Sequence, residues 1–473
     1  MGASRLVALA WVAAAMLLAA CGGCGGIVGA PLPNEATEHV DTGRFELLTR
    51  FVHLSDAHIL DEESPGRLVA TASFAPYFGA HAWRPQEAYS TQVLDGTIRM
   101  VNKMHVARHS IDFVLHTGDA TDNAQLNELE WFVGVFDGGM IDPRSGPDDR
   151  VEDELSDPLL DPHHPFEAQG LYRRGVHGDA ATIPWYSLLG NHDRFASGTF
   201  PIVADLFSRR TSPLPLLDRF GIFLPRKLDP TGSLSWAPIT PANPGPPAEL
   251  NFPAIVQANP ARRFINEDDF IDAHLDSEDN PLGHGFDTEN PSRTWYSVSP
   301  VPGVRLIALN SATPLLVESG LVYSEGAISL PQLLFLEAEL REAQDLGEWV
   351  IVATHHPSTA LEPAYGTSMT TPSLISLLNR YTCVKLHLAG HYHRNIVTDR
   401  GGYIEIVTGS LRDAQQEGRV IEIWDDGVEL EMRYWMFSHL EEIEPPDETY
   451  ADLFDDPLME MRRVAADLAA LTD

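Results

Sequence analysis

Short apolar runs recur along this chain, and several stop abruptly at a cluster of polar residues. Runs of that length read as buried strands. Phe51-Val52-His53-Leu54 is the first and Ile111 to His116 the second. Ile183 to Leu189 is a third, ending at Gly190. Trp295 to Val298 and Val304 to Leu309 read as a hairpin pair, and Trp349 to Thr354 is another strand. Further strands are expected at 383–388, 403–408, 419–424 and 428–434. Elsewhere the period lengthens. From about Pro85 to His109, the residues Val93, Ile98, Val101 and Met104 fall near one helical face. Asn123 opens a helix through Leu129, Trp131, Phe132 and Phe136, which stops at Gly138-Gly139. Leu330 to Leu346 is amphipathic and carries Pro331 in its first turn. A short helix at 372–380 and a terminal one at 455–471, with Leu458, Met461, Val464 and Leu468 on one side, complete the set.

Two stretches break the pattern. Residues 140–182 are acidic and rich in Pro and Gly, and read as an insertion rather than core. Residues 196–292 carry many prolines, including Pro241-Ala242-Asn243-Pro244-Gly245-Pro246-Pro247, and read as a second insertion over the catalytic face. The expected organisation is a tether at 21–46, one domain at 47–440 containing both insertions, and a C-terminal helical extension at 441–473.

The first twenty residues are a targeting segment: Arg5 precedes an apolar run from Leu6 to Ala20, too short to span a bilayer as a helix. Leu18-Ala19-Ala20-Cys21 resembles a bacterial lipoprotein lipobox, in which Cys21 would carry lipid and anchor the chain in the cell envelope. An ordinary signal peptide with a nearby Cys is the alternative. Gly22-Gly23-Cys24-Gly25-Gly26 would be a flexible leash. Gly22 rather than Asp after Cys21 favours the outer membrane. With Cys21 lipidated, the three cysteines leave no disulfide framework, and Cys383 is expected in the core.

A hydrophobic content of 44% argues against wholesale disorder, and a net charge of −36 argues against nucleic acid as a partner. An anionic substrate would need a local positive focus, which bound metal cations can provide.

Five strands run directly into metal-type ligands: Asp56 with His58, Asp119, Asn191 with His192, His355, and His391 with His393. In α/β sheets, distant residues meet where carboxyl ends of strands converge. Asp, Asn and His without thiolate suit Mn, Fe or Zn rather than a structural Cys-type zinc.

The motifs stand as Asp56-Ala57-His58, Gly118-Asp119, Gly190-Asn191-His192-Asp193, Val352-Ala353-Thr354-His355 and Gly390-His391-Tyr392-His393. In that order they resemble the calcineurin-like metallophosphoesterase superfamily, over about 50–434. The resemblance implies a four-layer α/β sandwich of two mixed sheets flanked by helices. It implies two metal ions roughly 3.5–4 Å apart. Asp56, His58 and His393 would hold one, Asn191, His355 and His391 the other, and Asp119 would bridge them. His192 would be general acid or charge stabiliser, oriented by Asp193. The implied activity is hydrolysis of small phosphate mono- or diesters by a metal-bridging hydroxide. His58 stands where purple acid phosphatases carry Gly, and Asp122 where they carry Tyr, so an iron–tyrosinate centre is not expected.

Other residues leave choices open. His356 could be the ligand in place of His355, or touch substrate. His53, His116 and His387 are expected to pack within strands, and His81, His163 and His164 to lie in loops. Asp122 and Asn123 could line the site, though capping the following helix is the simpler role. A non-catalytic, surface-anchored binding lipoprotein on the same scaffold is the alternative function.

Overall fold

The computed structural model describes residues 44–61, 64, 84, 86–145, 161–178, 180–195, 198–199, 259–312, 324–362, 371–427 and 429–470. The targeting segment, most of the tether, His81 and the Pro-rich run at 241–247 lie outside these.

The elements run β1 (Glu46–Leu54), α1 (Ser90–Ala107), β2 (Phe113–His116), α2 (Leu126–Asp137), β3 (Gly139–Ile141), β4 (Phe166–Ala168), β5 (Trp185–Ser187) and α3 (Glu267–Asp276). They continue through β6 (Tyr296–Val301), β7 (Val304–Ala308), α4 (Leu330–Leu346), β8 (Trp349–Ala353), α5 (Thr371–Leu378), β9 (Val384–Ala389), β10 (Ile396–Asp399), β11 (Ile404–Val407), β12 (Glu417–Asp425) and β13 (Leu430–Ser438). A C-terminal helix, α6 (Met459–Ala470), follows.

Two mixed sheets form. One has the order β13-β12-β1-β2-β5 and the other β10-β11-β9-β8-β7-β6. Strands β1, β2 and β5 are parallel to one another, as are β7, β8, β9 and β11. The near-continuous burial of Phe113–His116 and of Val304–Ala308 is what a parallel strand covered on both faces requires. Phe51 and Leu54 of one sheet share a core with Leu306, Ile351, Leu386 and Ile406 of the other. Outside the second sheet, Leu333, Leu336 and Leu340 of α4 pack with Leu374 of α5 on Ile307 and Val352. The helix α4 ends at Gly347, whose φ of 74° is the left-handed cap that a glycine adopts without strain. The four-layer α/β sandwich expected from the sequence is the fold observed.

Three local differences have physical causes. The helix α1 is buried on every side through His105, not on one face, because both α2 and α6 pack against it. Gly96 leaves room there for the side chain of Arg462, which is wholly buried. Within 140–182, Phe166, Ala168, Leu171 and Tyr172 join the main core, and β4 pairs with β3. Within 196–292, Phe264, Ile265, Phe270, Ile271 and Phe286 do the same. Acidic and proline-rich composition concealed these aromatic anchors. Cys383 is buried, as expected.

Candidate metal centre

The register of the parallel strands brings the polar strand ends together. Leu54 lies opposite His116, and Ala353 opposite Leu388, so the following residues leave both sheets at one edge. Backbone bonds fasten those ends: Asp56 N donates to Gly118 O at 3.0 Å, His58 N to Asp119 O at 2.9 Å, and Gly390 N to His355 O at 2.9 Å. The chain turns sharply at each. Asp56, His58, Asp119, His391 and His393 all have φ between 46° and 68°. Each such non-glycine turn costs of the order of 1–3 kcal/mol and persists where surrounding structure imposes it. Gly190 and Gly390 make the close approach possible. A Cβ at Gly190 would collide with Asp119, and one at Gly390 with Ser55 and Asp56.

The hydrogen-bond partners assign the imidazole tautomers. His58 Nδ1 lies 3.0 Å from Asp122 Oδ1, and His393 Nδ1 bonds Asp413 Oδ2. Both carboxyls are held well below the usual range: burial opposes the charge, but Arg412 beside Asp122 and Arg84 beside Asp413 outweigh it. Ionised carboxylates only accept, so both Nδ1 atoms carry a proton, and in the neutral rings both Nε2 atoms present lone pairs. Those two Nε2 atoms face each other at 3.0 Å, with Asp56 Oδ1 3.2 Å from His393 Nε2. Likewise His355 Nδ1 donates to Thr117 O at 2.8 Å, which turns its Nε2 lone pair inward. That lone pair meets Asn191 Oδ1 at 2.9 Å and Asp119 Oδ2 at 3.2 Å. The Asn191 amide is fixed the same way round, because its Nδ2 donates to Gly198 O at 2.9 Å. His391 Nδ1 lies 3.2 Å from the same Asn191 oxygen.

Acceptors therefore face acceptors in two adjoining groups, and Asp119 Oδ2 is shared, at 3.6 Å from His58 Nε2 as well. Acceptors that face one another inside a protein are costly unless a proton or a metal cation lies between them. The donor set fits the two metal ions implied by the sequence motifs. Asp56, His58, Asp119 and His393 offer ligand atoms within 4.8 Å of one another, as do His355, His356 and His391. The surplus of negative charge shows in the same place. Burial disfavours charge on His355 and His393, yet Asp119 beside the first, and Asp413 and Asp56 beside the second, push their pKa up to about 9, so that without a metal ion each ring takes a second proton on Nε2, the position a cation would occupy. Burial and the neighbouring His355 hold His391 down at about 3.

His192 sits at the rim. Its ring meets His58 edge-on at 4.5 Å, and its Nδ1 donates to Asp122 O at 2.7 Å. Burial lowers its pKa to about 4 against the pull of Asp119. Asp193 is not the group that orients it. The Asp193 carboxylate accepts from Gly190 N and Thr121 N, each at 2.8 Å, and so clamps one loop to the next. The tight turn at Asn191 and His192 points Asp193 back into the protein, and Asp122 takes the orienting position. Asp122 does not cap α2 either. The helix begins at Leu126, after Ala124 at φ 53°, and Gln125 at its N-cap makes no side-chain cap bond.

His356 uses both ring nitrogens, on Ser311 Oγ at 2.8 Å and Ser324 O at 3.1 Å, which leaves His355 the better placed ligand. His53 lies between the hydroxyls of Thr117 and Thr408, and His387 between Thr354 and Glu405. Asp413, Arg84 and Arg412 were not anticipated. They sit in loops with no motif of their own, whereas Asp122, three residues after Asp119, could have been found by its spacing.

The family model for calcineurin-like phosphoesterases matches residues 49–395. The chain belongs to this family. The matched span contains the His and Asp clusters that could hold metal ions. A probable cyclic nucleotide phosphodiesterase from Synechococcus sp. (strain WH7803) is 38% identical over 76 residues, which cover 15% of this chain and 28% of that relative's length. Among solved structures, a dimetal phosphatase from Danio rerio is 14% identical with a TM-score of 0.39, covering 82% of this chain and 100% of that one. A 5'-nucleotidase from Staphylococcus aureus is 11% identical with a TM-score of 0.32, covering 89% and 58%.

Proposed function

We propose that this chain hydrolyses small phosphate mono- or diesters at a two-metal centre. The reading rests on one observation: the Nε2 atoms of His58, His393 and His355 and the side-chain oxygen of Asn191 converge on one another and on the carboxylates of Asp56 and Asp119. Asp56, His58 and His393 would hold one ion, Asn191, His355 and His391 the other, with Asp119 between. Two such cations neutralise the ester and activate water near neutral pH. The chain's own residues then do the rest. Asp122 and Asp413 fix the tautomers of His58 and His393. The carbonyl of Asp122 holds His192 by Nδ1, so that Nε2 is the atom available to the phosphate and the leaving oxygen. His192 is 21% exposed, enough to be reached from solvent.

The named relative makes cyclic nucleotides the first diester to assay. A panel of mono- and diesters should be run on the mature chain and on His192→Ala. The variant is expected to keep its metals and to lose about 10²–10⁴-fold in turnover. Loss of metal in that variant would instead make His192 a ligand.

The chain is also proposed to be exported and anchored in the bacterial envelope through lipid on Cys21, supported by the lipobox-like Leu18-Ala19-Ala20-Cys21. Among the described residues no helix is long and apolar enough to cross a membrane. Palmitate labelling should disappear in Cys21→Ser, and labelling that persists would refute the anchor.

A further inference from the structure

The two groups of acceptors are not backed alike. Behind His393 stands Asp413, a carboxylate that Arg84 Nη2 holds at 3.2 Å, and behind His58 stands Asp122, held by Arg412. All four of these backing groups are largely or wholly withdrawn from solvent. Behind His355, among the described residues, stands the neutral carbonyl of Thr117. The facing side chains differ in the same sense. Asp56 supplies a carboxylate to the first group, and Asn191 a neutral oxygen to the second. A carboxylate behind an imidazole fixes its tautomer and raises the basicity of the opposite nitrogen, and loss of such a partner typically weakens metal binding 10–100-fold. The paired arginines add a further effect. They hold each carboxylate in place whether or not a cation is bound, so the ligand is already oriented.

We infer that Asp413, held by Arg84, is a positioning residue for His393, and that the Asp56–His58–Asp119–His393 half of the centre retains its cation more tightly than the Asn191–His355–His391 half. This rests on the two-metal reading above.

The test is graded chelation of the full, Mn²⁺-loaded chain, with bound metal counted by mass spectrometry at each step. The wild type should lose one ion readily and the second only at much higher chelator. Asn191→Ala should lack the weak ion and keep the tight one. Asp413→Asn should release the tight ion at 10–100-fold lower chelator, with the weak ion unshifted. A wild type that loses both ions together, an Asn191→Ala chain without the tight ion, or an unshifted Asp413→Asn each overturns the inference. Should Asp413→Asn fail to fold by circular dichroism, Arg84→Gln takes its place, with a shift in the same direction expected and no shift counting against. Should that fail too, the wild type and Asn191→Ala decide. A folded wild type that binds no metal overturns the two-metal reading itself, whereas two ions of equal affinity overturn only the inference.

Discussion

Two buried polar clusters lie within a few residues of each other on this chain, and they are built on opposite principles. One is the metal centre. The other begins at Asp61, just past His58, and joins Asn127, Glu128, Ser145 and Arg262. In this second cluster every carboxylate oxygen meets a donor. Asp61 Oδ2 accepts from Asn127 Nδ2 at 2.8 Å and Arg262 Nε at 3.1 Å, and Oδ1 accepts from Ser145 Oγ at 2.6 Å. Glu128 accepts from Asp61 N at 3.0 Å, Asn123 Nδ2 at 2.9 Å and Asn123 N at 2.8 Å. Such a network is complete without help, and it ties the loops after β1 and β2 to the segment before α3. In the metal centre, by contrast, His58 Nε2 faces His393 Nε2 and His355 Nε2 faces Asn191 Oδ1. The sign of the leftover hydrogen-bonding capacity separates the one that holds the chain from the one that holds cations.

That contrast can be broken from either side. The largest effect is expected from Asp119→Ala, which removes the carboxylate shared by both groups of acceptors. Both metals should be lost and turnover should fall by more than the roughly 10–100-fold cost of an outer partner, read by metal content and a phosphodiester assay. Next is Arg262→Met, which strands Asp61 in the second cluster. A broken buried ion pair costs about 3–5 kcal/mol. Denaturant unfolding should show that loss, while metal content per folded chain stays the same.

A third set of buried polar groups sharpens the comparison, because it lacks partners of either kind. His274 Nε2, His284 Nε2 and both ring nitrogens of His116 have no hydrogen-bond partner, and these rings pack with Phe132 and Trp185. Burial is the first cause that lowers their pKa, to about 4 for His274 and about 3 for His116 and His284. They fold neutral. An unfolded histidine takes up a proton near pH 6.5, so stability is lost as pH falls from there towards the folded value. Each group contributes about 1.4 kcal/mol per pH unit in that window. His274→Phe should therefore resist acid better than the wild type, by up to about 3 kcal/mol at pH 4 relative to each chain's own stability at pH 8. Urea titrations at the two pH values give the comparison, and parallel acid losses in both chains would refute it. The smallest effect is expected from Glu128→Gln, which turns an amide NH₂ towards the N–H donors. A cost of about 1–3 kcal/mol should appear in the melting temperature, with turnover near that of the wild type.

Much of this was legible in the sequence, and the limits were physical. The ligands announced themselves because each follows a buried strand and few residue types can bind a metal. The β1, β2, β7 and β8 strands were legible for the same reason, as apolar runs with abrupt polar ends. The partner of His192 was not. Asp193 and Asp122 are both near it in sequence or space, and the folded path of the two loops, not their spacing, decides which of them faces the imidazole. Asp413 and Arg84 belong to no pattern, since they meet His393 through loops far apart in the chain. The strand β10 was missed because it is a largely exposed edge strand without a buried apolar face. Full burial of α1 could not be read from its own residues, because α2 and α6 provide the cover.

The central claim is that acceptors facing acceptors mark a place for two cations. Metal content of the folded chain, loaded by dialysis against Mn²⁺ and freed of unbound ion by rapid desalting, tests it directly. The account predicts two ions per wild-type chain immediately after loading and none in Asp119→Ala. A folded wild-type chain that takes up no ion, or an Asp119→Ala chain that still takes up two, would contradict it.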